Sequence, residues 1–125
     1  MFDHVSIGVK SLERARQFYD AALGALGYER LSNADKMIGY GPDAIGLWVI
    51  EAERPVPADR KSGLHFCFVA PDAAAVDAFH AAGLANGGED NGAPGLRPDY
   101  GQFYYAAFLI DPDGYRLEAF FHQGG

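Results

Sequence analysis

Residues 4–28 read HVSIGVKSLERARQFYDAALGALGY, and residues 65–89 read HFCFVAPDAAAVDAFHAAGLANGGE. Set side by side, they are one pattern written twice. His4 meets His65, Ile7 meets Phe68, Ser11 meets Asp72, Phe18 meets Phe79, Leu23 meets Leu84 and Gly27 meets Gly88. Each copy opens on alternating residues, the pattern of a strand with one buried face. A Ser or Asp follows that can accept hydrogen bonds from the free N–H groups of a helix start. Glu13 adds negative charge to the first turn. Leu12, Ala15, Phe18, Ala22 and Leu26 form an apolar stripe at helical spacing, as do Ala75, Val76, Phe79 and Ala82. Gly24, Gly27, Gly83 and Gly87 are the predicted stops.

A second phrase also recurs. PDAIGLW at 42–48 matches PDGYRLE at 112–118, so Leu47 meets Leu117 and Trp48 meets Glu118. Both phrases read as turns between strands. The predicted strands are 2–9, 29–32, 36–41 and 46–51, then 64–70, 88–91, 104–110 and 115–121. The fold class is therefore α+β, with two tandem βαβββ modules. One spans 1–53 and the other 62–122, joined by a linker at 54–61 within a single domain of 125 residues.

Composition limits the function. The chain is 49% hydrophobic, which favours a folded core over disorder. Its net charge is −7, which disfavours nucleic acid and anionic membrane as partners. Cys67 is the single cysteine, so no intrachain disulfide is expected. No signal peptide or membrane-length apolar run is visible, so a soluble cytoplasmic protein is expected.

Strand alternation sorts the charged groups. Val5, Ile7 and Val9 should face the helices, with His4 on the opposite side. Phe66 and Phe68 leave His65 and Cys67 opposite; Leu47 and Val49 leave Trp48 opposite; Leu117 and Ala119 leave Glu118 opposite. A sheet with helices on its outer face and His, His and Glu on the other suggests a curved sheet around a site. His4, His65 and Glu118 form a donor set for a divalent metal with open positions for substrate. Such an ion would offset the desolvation of a carboxylate set among Phe120 and its neighbours. The indole of Trp48 cannot ligate. Glu51 falls on the helix side. Each of the three donors, taken singly, also reads as a hydrogen-bonded structural residue.

The segment NGAPGLRPDYGQFYY, 91–105, is an insertion relative to the first module. A loop of this kind on a rigid scaffold often carries specificity. Arg97 is a candidate for a substrate carboxylate or phosphate. Tyr100, Phe103 and Tyr104 are candidate pocket walls, with Trp48 and His122 at the edges. The plainer reading makes Arg97 a surface residue and packs the tyrosines within the loop. His80 is expected to be exposed, and Cys67 to be a small filler.

The pattern resembles the vicinal oxygen chelate superfamily, which holds glyoxalase I, extradiol dioxygenases, fosfomycin-resistance enzymes and bleomycin-resistance proteins. DHVSIGVKSLERARQFY (3–19), GLHFCFV (63–69) and DPDGYRLE (111–118) carry the resemblance, which covers nearly the whole chain. It implies two modules forming a half-barrel, and commonly a homodimer. It places metal ligands at the positions of His4, Trp48, His65 and Glu118. Trp48 departs from the glyoxalase I pattern of four protein ligands and speaks against lactoylglutathione lyase activity. The implied function is a divalent-metal-dependent lyase, isomerase or dioxygenase, using zinc, nickel, manganese or iron. Its small substrate would be chelated through neighbouring oxygens, with Glu118 catalytic. The alternative is a non-catalytic small-molecule binding protein of the bleomycin-resistance type, with no metal bound.

Overall fold

The computed structural model describes residues 1–59 and 61–122. Arg60 in the linker and residues 123–125 lie outside the described residues. The first module runs β1 (Val5–Val9), α1 (Leu12–Gly24), β2 (Glu29–Asn33), β3 (Met37–Gly41) and β4 (Leu47–Glu51). The second runs β5 (His65–Val69), α2 (Ala73–Ala85), β6 (Glu89–Leu96), β7 (Tyr104–Ile110) and β8 (Arg116–His122). The α+β class and the two βαβββ modules are as predicted. Only β7 keeps its predicted bounds, and β3, β4, β5 and β8 shift by one residue. β1 begins at Val5, so Phe2 and His4 precede it. β2 runs one residue further, to Asn33. β6 extends to Leu96, through a stretch the sequence marks as loop by its glycines and Pro94. Two shifts in its pairing with β7, at Asp90–Gly92 and Gly92–Gly95, accommodate those residues.

Local chemistry sets the helix starts. The Ser11 side chain accepts from Arg14 N at 3.2 Å, and Asp72 accepts from Ala75 N at 2.8 Å. The carboxylate of Glu51 accepts from Leu12 N, which places Glu51 on the helix side as its strand position predicted. After each helix the chain turns at a glycine of positive φ, +89° at Gly27 and +96° at Gly87.

The strands form two four-stranded sheets, ordered β1-β4-β3-β2 and β5-β8-β7-β6. Each has one parallel pair, β1 with β4 and β5 with β8, and neither sheet closes. Among the described residues no strand of one sheet is hydrogen-bonded to the other. The modules meet instead through α1 and α2, with Val9, Phe18, Leu23, Val76, Phe79, Leu109 and Leu117 in one core. Polar ties add to this. Tyr115 donates from its hydroxyl to Gly8 O at 2.7 Å, Lys10 N donates to Asp113 at 2.8 Å, and Tyr28 donates to Val69 O at 2.8 Å.

The DPDG turn is built around Asp111. Its carboxylate is buried and accepts from Asp113 N, Tyr115 N and the Tyr19 hydroxyl. Burial raises its pKa above the ordinary range, partly opposed by these donors. The first half of DPDGYRLE therefore has a structural role: it pins the second module to the first.

Candidate functional site

Strand alternation places the site. In β8, Leu117 and Ala119 enter the core, so Arg116, Glu118, Phe120 and His122 take the opposite face. β5 lies beside β8 in parallel register, with Cys67 paired to Glu118. β7 lies on the other side, with Tyr104 opposite His122 and Phe108 opposite Glu118. This gathers His65, Cys67, Tyr104, Phe108, Arg116 and Glu118 on one face of the second sheet.

Glu118 is the centre of the group and is only 4% exposed. His65 Nε2 lies 2.8 Å from Glu118 Oε1, and the Tyr104 hydroxyl donates to Glu118 Oε2 at 2.5 Å. Both carboxylate oxygens are thus met, which offsets the cost of burying them. Burial, then the bond to Glu118, raises the Tyr104 phenol well above its ordinary pKa, so it remains a donor. Desolvation, then the Glu118 charge, pushes the Cys67 thiol up to about 12. Cys67 is therefore a poor nucleophile near neutral pH, but it is exposed and not the small filler expected, because its face of β5 is open, with His65 and Val69 exposed beside it.

Two cavities meet at His65. One, of about 570 Å³, is apolar and lies between the modules, lined by Phe2, Tyr28, Leu47, Phe66, Phe68 and Val69 among others. The second, of about 360 Å³, is polar and is lined by His65, Asn91, Gly92, Arg97, Tyr100, Phe108 and Arg116.

The predicted site residues divide accordingly. His65 and Glu118 are brought together. His4 is not with them: it lies in the first module, its side chain 47% exposed, with Nδ1 2.7 Å from Asp3. Among the described residues no group of three or more His, Cys, Asp or Glu side chains is placed to hold a metal. Within one chain the three candidate donors do not come together. The reason is topological, because β1 and β5 belong to sheets that share no strand pairing.

Arg97 and Tyr100 line the polar cavity. Tyr104 reaches Glu118 and is a partner of the carboxylate more than a wall. Trp48 is half-buried in the first sheet, over Gly39, and lines neither cavity. Phe103 packs against the His122 ring, 5.6 Å between centroids, and neither residue lines these cavities. His80 is buried, not exposed as expected, because it bonds Asp90 at 2.8 Å across α2 and β6. Arg116 was missed. Its position two residues before Glu118 was the available signal, since residues two apart share a strand face.

The profile of the Glyoxalase/Bleomycin resistance protein/Dioxygenase superfamily matches residues 1–119. The chain belongs to this superfamily. A glyoxalase/bleomycin resistance protein from Albidiferax ferrireducens T118 is similar to it at 38% identity, with a TM-score of 0.80, covering 96% of this chain and 97% of that one. A glyoxalase-related enzyme from Fulvimarina pelagi shares the fold at 16% identity, with a TM-score of 0.76, over 97% and 87% of the two chains. So does a glyoxalase I mutant from Zea mays, at 22% identity and a TM-score of 0.69, over 94% of this chain and 44% of that one. Comparison with curated proteins gives no match. Among the described residues no helix of this superfamily member is long and apolar enough to cross a membrane.

Proposed function

We propose that the protein is a divalent-metal-dependent enzyme of the lyase, isomerase or dioxygenase type, acting on a small oxygen-rich substrate. The observation that carries this reading is the His65–Glu118 pair. An imidazole nitrogen and a carboxylate oxygen stand 2.8 Å apart on adjacent strands, and the imidazole, that of His65, lines both cavities. These are donors suited to zinc, nickel, manganese or iron. One chain fits two of three positions. His4 of a second copy is the proposed third ligand, in a homodimer. When bound, the ion would polarise neighbouring substrate oxygens.

The chain's own residues do the rest. Tyr104 holds Glu118 in place through its hydroxyl. Glu118 is the group proposed to accept a substrate proton. Arg97 orients the substrate from the polar cavity, and the apolar cleft limits the access of water.

The test is elemental analysis of the untagged protein before and after dialysis against chelator. About one divalent ion per chain, lost in His4→Ala, His65→Ala and Glu118→Gln, is the expected result. No uptake of zinc, nickel, manganese or ferrous iron would overturn it. A second reading is favoured by the completeness of the hydrogen bonds at Glu118, which need no ion. In it the protein is a non-catalytic binder of the bleomycin-resistance type. Ligand binding unaffected by metal removal would support that reading.

A further inference from the structure

The polar cavity holds more positive charge than its surroundings explain. The chain carries 17 Asp and Glu against 10 Lys and Arg. Yet among the described residues neither Arg97 nor Arg116 has a carboxylate at ion-pair distance. Both line the same cavity of about 360 Å³. Two guanidinium groups beside one cavity repel each other, and an anion between them removes that cost.

Both side chains are held from the protein side. Arg97 Nη2 donates to Ala93 O at 2.6 Å, and its guanidinium lies 5.3 Å over the Phe108 ring. Arg116 Nε donates to Leu64 O at 3.2 Å. Each guanidinium keeps most of its five N–H donors for a ligand. The glycines of β6 give Arg97 its room. A Cβ at Gly92 would stand 3.3 Å from Arg97 Nη2 and 2.9 Å from Phe108, and one at Gly95 would stand 3.1 Å from Arg97 Nη1. The run NGAPGLR, 91–97, thus lets the arginine fold back across its own strand. Asn91 adds an amide to the same wall.

We infer that this cavity is an oxyanion subsite in which Arg97 and Arg116 jointly bind a carboxylate or phosphate group of the ligand. The inference rests on the proposed function for its account of the neighbouring His65–Glu118 pair, and it adds the substrate class. His65 lines the same cavity, so an anion held by the two arginines sets the remainder of the molecule beside His65, whose imidazole bonds Glu118. The substrate is then a small acid or phosphate ester with a further oxygen function.

The test uses full-length protein stripped of metal and dialysed free of chelator, so that its outcome is separate from that of metal binding. Inorganic phosphate, malonate and the neutral malonamide are titrated by calorimetry. In parallel the Nε–H resonances of Arg97 and Arg116 are followed by NMR. Binding of phosphate or malonate, with both resonances moving and malonamide inert, is expected. Phosphate alone assigns a phosphate group, and malonate alone a carboxylate. Arg97→Gln and Arg116→Gln should each weaken binding at least tenfold, while Arg14→Gln leaves it unchanged. Absence of binding by either anion, or shifts that spare both arginines in the wild-type protein, would overturn the inference. So would unchanged affinity in a folded double variant.

Discussion

The imidazole of His65 bonds one oxygen of Glu118 while the Tyr104 hydroxyl bonds the other. A carboxylate 4% exposed is thereby held between two strands that reach it from opposite sides, β5 and β7. His65 lines both the apolar cleft and the arginine-lined cavity. Four predictions follow from this arrangement and from the turn that braces it.

If His4 of a second copy completes the metal site, two defective chains should repair each other. His4→Ala and Glu118→Gln homodimers should each bind metal at least tenfold more weakly than wild type. Chains mixed after unfolding and refolding should regain one strong site in each heterodimer. Metal titration of the mixture checks this, and no recovery in folded heterodimers would exclude the shared site.

Tyr104→Phe removes a donor from a buried carboxylate and leaves the ring in place. The expected loss is about 1–3 kcal/mol of stability. Urea denaturation at neutral pH reads it directly. Because Cys67 lies beside the same carboxylate, Cys67→Ala provides a control that retains the Tyr104–Glu118 bond.

Cys67 should alkylate slowly. With a thiol pushed up to about 12, roughly one molecule in ten thousand carries thiolate at pH 8. Iodoacetamide labelling should therefore rise about tenfold between pH 8 and pH 9. Glu118→Gln removes the second cause of the shift and should speed labelling at fixed pH. A fast reaction at pH 7 in the folded protein would contradict the thiol environment.

Asp111 supplies a pH dependence. Burial raises its folded pKa above the unfolded value of 3.8. Between the two values the native state holds more protons than the unfolded state. Stability contributed by this group is present below 3.8 and is lost as pH rises through the folded pKa. Asp111→Asn removes that loss. The variant also carries a pH-independent cost, since an amide has one acceptor oxygen for the donors of Asp113, Tyr115 and Tyr19. Relative to wild type it should therefore gain as pH rises from 3.5 to 6.5, measured by urea denaturation.

Much of this was legible in the residue order. Alternation in the strands placed Leu47 and Val49 in the core, with Trp48 and Ile50 half-buried. It also put His65 and Glu118 on a shared face. Capping at Ser11 and Asp72 follows from side chains that accept hydrogen bonds one turn away. These are local consequences of backbone geometry, and a sequence carries them. The length of β6 was hidden because glycines and a proline read as loop, and only β7 alongside turns them into a bulged strand. His80 was misread for the same kind of reason, since its burial depends on Asp90 in the next strand.

By itself, the sequence determined two βαβββ modules, the core faces of β1, β4, β5 and β8, and the two-residue nucleus of the site. Tertiary structure decided which module faces which. Repeat symmetry places His4 and His65 at equivalent positions, but equivalence within modules says nothing about their distance. That distance was set by α1 packing on α2 and by the DPDG turn bonding back to β1, which leaves the two sheets unpaired. Arg97 and Arg116, by contrast, reach one cavity through the β6-β7-β8 pairing within the second module. Side-chain direction is fixed by bonds a few residues long, whereas neighbourhood across modules is fixed by burial of surface far apart in the chain.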